Sequence, residues 1–379
     1  MAKKARLIYG STYLEGEGSN FDLLWLIKMK LVDPHFLIEM GKDFQDRVLL
    51  ASSLELTRAR KEAKNCRVES SGKYLEEARA TKKWAITVFL KRHGIKQVEL
   101  HPLTPSKVMA ELKKEGFLVT AGKEPWYPER LVRTSREIEW ILETQKAVEQ
   151  VMWTVRSRLV KAKIKRGVVV ERQGPLTSEI LRAFIEDELW KRGCGSIDTI
   201  VSSGKQTAQP HNLGSGPIRA NAPIVFDIYP YSRRTGRFAD MTRTFFKGKP
   251  SARALRMYTA VREAQKLGIS LIRAGVDGQN VHTAIEKFFE GRGFKTDGVR
   301  GFGFTHSTGH SFNLWLHEAP SIGNSPCVLP EGSVVTVEPG LYYPHLGMGI
   351  RIEDMVWVGK RGCRNLTTFP KDLGTVIIP

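Results

Sequence analysis

Four runs of β-type sequence in the C-terminal two-thirds of the chain carry a carboxylate where a strand ordinarily carries a neutral side chain, and this constrains the fold more than any other feature. Successive residues of a strand point to opposite faces. In APIVFDIYP, Ile224, Phe226 and Ile228 share one face while Asp227 shares the other with Val225. In FADMTRTFF, Asp240, Thr242 and Thr244 share a face, as do Thr336 and Glu338 in GSVVTVEPG and Arg351 and Glu353 in GIRIEDMVWV. A single such acid belongs on a half-exposed sheet, whose outer face is polar. Four in one region, each beside Val, Ile or Phe, predict carboxylates that converge inside the fold. Ionised carboxylates that close are costly unless cations neutralise them, and two divalent ions balance four negative charges. Such oxygen-rich ligation accepts Mn, Co or Fe as readily as Zn.

The segment HSTGHSFNLWLHE offers a nitrogen ligand through His306, His310 or His317. His306 and His310 are four apart, as in a helical zinc motif, but no Glu follows His306 and Thr308-Gly309 is poor helix material. Three histidines so close, flanked by glycine and followed by Glu318, point to a site rather than to a core. Gly301 and Gly303 in GFGF precede no helix start and so do not make a nucleotide loop.

With 379 residues, the chain is long enough for two domains that each bury a core. Over residues 1–130, short apolar runs (FLIEM, RVLLASS, KQVEL) and the amphipathic KVMAELKKEGFLV predict a small α/β domain with no catalytic cluster. The two prolines of KEPWYPERLVR mark a linker. Thr134 and Glu137 then stand at capping-box spacing before Ile138, Ile141, Leu142, Val148, Met152, Val155 and Leu159, which recur at helical intervals and open a second domain over 131–379. Further helices are predicted at 177–192, 251–273 and 279–291, with strands in the four acid-bearing runs and in SFNLWLHE. Such a mixture is α+β with a largely antiparallel sheet.

The basic start, MAKKARLIYG, runs into polar STYLEGEGSN and carries neither a signal-peptide nor a membrane-helix pattern. Cys66, Cys194, Cys327 and Cys363 lie far apart without a CxxC pair and fit reduced thiols. A cytoplasmic location is expected. Of the charges behind the net +19, residues 1–134 hold 25 of 59 Lys and Arg and 17 of 40 Asp and Glu, so the excess is spread along the chain. It reads as a solvated basic surface, and with no recognition module of the usual kinds neither a nucleic-acid nor a membrane partner is expected.

Taken in order, QPH at 209–211, VFDIYP…ADMTRTF, HSTGHSF…LHE, VVTVEPG and GIRIEDMV resemble the creatinase/aminopeptidase (pita-bread, M24) family, which includes aminopeptidase P, prolidase and methionine aminopeptidase. Arg351 in GIRIED is similar to the proline-directed branch. The resemblance runs through most of 134–379 and implies a pita-bread domain with a curved, largely antiparallel sheet, preceded by a non-catalytic α/β domain. Carried over by position, Asp227 chelates one metal, Asp240 and Glu353 bridge two, and His310 and Glu338 complete the set. Glu338 also shuttles a proton, His211, His306 and His317 surround the substrate, and Arg351 orients ligands. The implied cofactor is two divalent ions, manganese first, with cobalt, iron or zinc as substitutes. The implied reaction is hydrolysis on the N-terminal side of proline in Xaa-Pro peptides by hydroxide held between the ions, in a homodimer, with Phe304 and Phe312 lining a proline pocket. One departure is visible: YPYSRRTGRFA is longer than the family's usual spacing, and Ile228 stands where a glycine is common. The resemblance also admits a methionine aminopeptidase, a creatinase-like enzyme that needs no metal, and a non-enzymatic adaptor; loss of ligands would mark the adaptor, and none is lost.

Overall fold

Alternating apolar side chains sort the strands of the N-terminal part onto two faces: Leu7, Ile38, Val48 and Leu50 enter one apolar cluster, while Ile8, Leu37 and Leu49 enter another. A computed structural model describes residues 3–13 and 18–379, and the chain divides into two units, Met1–Pro128 and Glu129–Pro379. In the first unit six strands lie in the spatial order Arg67–Ser70, Asp46–Ala51, His35–Met40, Lys3–Gly10, Ile95–Leu100, Leu118–Ala121. Lys3–Gly10 pairs antiparallel with His35–Met40 and parallel with Ile95–Leu100. Apolar clusters on both faces are what a mixed α/β sheet requires. Phe89 and Leu112, from the helices Ala85–Arg92 and Ser106–Lys114, fill one; Leu23 and Leu26, from Phe21–Ile27, fill the other.

The first α-helix of the second unit begins on the predicted capping box. The Thr134 hydroxyl accepts from the Glu137 amide, the Glu137 carboxylate accepts from the Thr134 amide at 3.0 Å, and the helix Ser135–Lys161 follows. Its buried stripe includes Ile138, Ile141, Val148, Met152, Val155 and Leu159. Helices Ser178–Lys191, Ala252–Leu271 and Gly278–Gly291 stand close to their predicted bounds.

Two main sheets and a hairpin make up the β part around the acids. One sheet orders Ile200–Ser203, Pro223–Ile228, Met241–Lys247 and Ile377–Ile378; the other orders Glu318–Ile322, Gly309–Ser311, Val334–Val337, Asp354–Val358 and Cys363–Asn365. Within them, only the pairing of Met241–Lys247 with Ile377–Ile378 is parallel.

Two expected strands differ. SFNLWLHE is not continuous: pairing stops at Ser311 and resumes at Glu318, with 312–317 between them as a loop. GIRIEDMVWV is broken as well. Met348–Arg351 pairs with Gly340–Tyr343 while Asp354–Val358 pairs with Val334–Val337, so Ile352 and Glu353 cross from the hairpin to the five-stranded sheet. Asp240 immediately precedes a strand, and Glu338 immediately follows one. Three of the four acids therefore stand where the backbone leaves a ladder, which lets carboxylates from different strands meet at one point.

Close backbone approach sets the frame. A Cβ on Gly309 would lie 1.9 Å from the Thr336 carbonyl oxygen, and one on Gly349 would lie 1.8 Å from that of Thr207. The first glycine presses the strand of His310 against Val334–Val337; the second presses the turn Gly204–Ala208 against Met348–Arg351. Gly309→Ala is expected to cost about 1–3 kcal/mol through overpacking, read as a lower midpoint of urea unfolding; an unchanged midpoint would contradict this packing.

Candidate metal centre

Asp227 lies directly across from Thr242 in the antiparallel register, so the two side chains share a face. The Thr242 hydroxyl is 2.8 Å from Asp227 Oδ1 and 2.8 Å from Glu353 Oε2, and it accepts from Arg351 Nε at 3.2 Å. One hydroxyl proton cannot serve two carboxylates, so acceptors outnumber donors. Arg351 also donates through Nη2 to Asp227 Oδ2 at 2.6 Å and through Nη1 to the Tyr342 hydroxyl at 2.7 Å and the Pro210 carbonyl at 3.2 Å.

His310 and Glu338 arrive from the other sheet. His310 Nε2 is 3.3 Å from Glu338 Oε1 and 3.7 Å from Asp240 Oδ2. Its Nδ1 donates to the Ser311 carbonyl at 3.2 Å, which leaves the Nε2 lone pair facing the acids. Thr336 holds the pair in register, accepting from the His310 amide at 3.1 Å and donating to Glu338 Oε1 at 3.3 Å. All five predicted ligands, Arg351, and His211, His306 and His317 line one cavity of about 310 Å³.

The electrostatics follow from crowding. Burial, then the charges of Glu353 and Asp227, holds the Asp240 carboxyl well above the usual range. Burial and Asp240 do the same to Glu338, and burial and Glu338 to Glu353. Burial and then the neighbouring His317 push His310 down to about 3, so its imidazole is neutral at working pH. Burial and Arg351 push His306 down to about 3.

The donor set fits a pair of divalent cations. Glu353 Oε1 is buried with no hydrogen-bond partner, and ligand atoms of Asp240, His310 and Glu353 lie within 4.8 Å of one another. Four carboxylates with one imidazole suit manganese, iron, cobalt or zinc.

Sequence reasoning missed several residues that shape the site. Tyr342 joins Arg351 to His306: the His306 Nδ1 donates to the Ser307 carbonyl at 2.8 Å, and its Nε2 lies 3.0 Å from the Tyr342 hydroxyl, so both ring nitrogens are engaged. The loop 312–317 is held by Glu318, whose Oε1 accepts from the Leu314 and Trp315 amides at 3.1 and 2.9 Å and from Arg130 at 2.6 Å. Arg133 donates to Ser311 Oγ at 2.7 Å and to the Phe312 carbonyl at 2.9 Å. Glu318 was marked by its place after His317; nothing marked Arg130 and Arg133, which stand in the linker-like segment. Phe304 and Phe312 are buried away from the cavity wall, Phe304 against His282 and Phe289; the apolar wall is made by Ile200, Leu316 and Tyr229.

The chain belongs to metallopeptidase family M24, whose model matches residues 139–360. It is 33% identical over 250 residues to an uncharacterized peptidase, YqhT, of Bacillus subtilis, covering 64% of each chain. It is also 36% identical over 213 residues to a putative Xaa-Pro aminopeptidase of Mycoplasma genitalium, covering 54% of this chain and 56% of that one. In both comparisons the match spans less than two thirds of the relative's length. Among solved structures, an Xaa-Pro dipeptidase from Bacillus anthracis superposes with a TM-score of 0.80 over 99% of this chain and 95% of that one, at 22% identity, which establishes a shared fold. The pita-bread architecture implied by the motifs is the one observed.

The raised carboxyls bind protons more tightly in the fold than in the unfolded chain. Their contribution to stability is present below the ordinary values of 3.8 for Asp and 4.5 for Glu, and is lost as pH rises through the raised ones. The histidines act in the opposite sense, their contribution being lost as pH falls from 6.5 toward 3. Divalent ions require the deprotonated acids and so compensate more as pH rises. Saturating manganese is expected to raise the melting temperature more at about pH 7.5 than at about pH 5.5; an equal or smaller gain at the higher pH would refute the carboxylate assignment.

Proposed function

We propose that this protein is a dinuclear metal-dependent peptidase that cleaves the bond on the N-terminal side of proline. The observation that carries this reading is the gathering of Asp227, Asp240, His310, Glu338 and Glu353 on one cavity wall in a chain matched to a metallopeptidase family. The proline preference draws on relatives named as Xaa-Pro peptidases. Asp227 would hold one ion, Asp240 and Glu353 would be shared, and His310 and Glu338 would complete the pair. When bound, two such cations supply a water whose pKa falls from about 15.7 toward ~7 and a Lewis acid for the scissile carbonyl.

The remaining work falls to the chain's own side chains. Glu338 takes the proton released as water adds to the carbonyl carbon and delivers it to the proline nitrogen as the C–N bond breaks. His211 and His317 donate N–H groups to the developing oxyanion. His306, with both nitrogens engaged, acts as a positioning residue through Tyr342 on Arg351, which in turn fixes the Asp227 carboxylate. Ile200, Leu316 and Tyr229 receive the pyrrolidine ring.

The N-terminal unit is assigned no chemistry. Its close group of metal-type side chains, Asp22, His101 and Glu124, is occupied with hydrogen bonding: His101 Nε2 meets Asp22 at 2.7 Å, and Nδ1 meets Asn20 and the Leu103 amide, each at 3.1 Å. Manganese as the working ion rests on the oxygen-rich donors. Four free cysteines support a cytoplasmic location, and no helix among the described residues is long and apolar enough to cross a membrane. A homodimer rests on family likeness and is checked by light scattering.

Activity on Xaa-Pro peptides is expected to vanish with excess chelator and to return with manganese or cobalt, while Asp240→Ala should bind less metal; full hydrolysis under chelation would end this reading. His317→Ala is expected to lower kcat by about 100-fold with metal content unchanged. A fall of less than about threefold would remove His317 from the oxyanion role.

A further inference from the structure

Given the peptidase reading, on which this rests, we infer that the cavity takes proline-containing peptides of three residues or more, or with a blocked C-terminus, in preference to free Xaa-Pro dipeptides. The reason is the charge inventory of the wall. Among the described residues lining the cavity there is one Arg or Lys, Arg351. Its guanidinium has five N–H groups, and four bonds already run to Thr242, Tyr342, Pro210 and Asp227. At 4% exposure, and with one N–H left beyond those four bonds, it cannot pair a substrate carboxylate through two donors.

The covalent geometry of a dipeptide makes this inventory decisive. In a free Xaa-Pro the carboxylate carbon is two bonds beyond the scissile nitrogen, about 2.5 Å away. A nitrogen placed for cleavage therefore brings the carboxylate into the same cavity, where four protein carboxylates already match the charge of the two proposed ions. A fifth anion there loses its hydration and finds no free guanidinium or ammonium among the described residues of the wall, a costly combination. When the same carbon is instead an amide carbonyl, it carries no charge and needs only hydrogen-bond donors. The cavity wall offers the hydroxyl-bearing Ser307 and Ser321 for this, apart from the histidines assigned to the oxyanion. Ser307, His211 and His317 are exposed, so a longer peptide has a way out to solvent past them.

The test uses the full-length, manganese-loaded protein and three substrates that share one scissile bond: Ala-Pro, Ala-Pro-NH2 and Ala-Pro-Ala. The amide has the dipeptide's length without its charge. The expected result is a kcat/KM for the amide and the tripeptide at least about tenfold above that for the free dipeptide. Calorimetric binding of the non-hydrolysable reduced-bond Ala-Pro and its amide should show the same order. A dipeptide cleaved as efficiently as its amide, or an acid analogue bound as tightly as the amide analogue, overturns this inference and leaves the peptidase reading standing. No cleavage of any of the three overturns the peptidase reading, and the inference with it.

Discussion

Mutual repulsion among Asp227, Asp240, Glu338 and Glu353, opposed within the protein by the single guanidinium of Arg351, is the condition around which the second unit is built. The surrounding hydrogen bonds hold that crowd in place. Thr242 and Thr244 alternate with Arg243 along one strand; Thr242 reaches the acids, while Arg243, fully buried, donates to the Glu353 carbonyl at 2.5 Å, to Asp354 at 2.7 Å and to the Phe369 carbonyl at 2.6 Å. Glu353 and Asp354 are neighbours in sequence with opposite fates. Burial and Glu338 raise the first; against the same burial, Arg243 and Lys371 hold the second below the usual range. One carboxyl is balanced by fixed cations and the adjacent one is left to be balanced by something else.

The acids were legible in the sequence because each interrupts an apolar alternation, and an interruption needs only local pattern to be seen. Their exact setting was not. The break at Ile352 and Glu353 depends on pairing with Gly340–Tyr343 on one side and Val334–Val337 on the other, a competition between partners that no window of a few residues contains. The segment 312–317 reads as a strand because Phe312, Leu314 and Leu316 alternate, yet it forms a loop because Glu318 and Arg133 capture its backbone amides and carbonyl. Arg133 and Ser311 are 178 positions apart, so their meeting is a property of the fold.

The histidines divide along the same line. Clustering was enough to place His306 and His310 near the acids, and register alone cannot tell their roles apart. The hydrogen bonds do. In His310 the outer nitrogen is tied to a carbonyl and the inner one is free to face the carboxylates; in His306 both are committed within the protein. Tyr342, which receives His306 and Arg351 together, carried no sequence signal of its own in a run of glycine and aromatic residues.

The crossing of the chain at Ile352–Glu353 also bears on mechanics. Asp227 lies in the four-stranded sheet and Asp240 just before one of its strands, His310 lies in the five-stranded sheet and Glu338 just after one of its strands, with Glu353 on the bridge between them. Ions held by this set would act as rivets across the seam, fastening two layers that otherwise meet there over like charges. Loading and stiffness would then be a single property, and the stripped protein would breathe first along that seam.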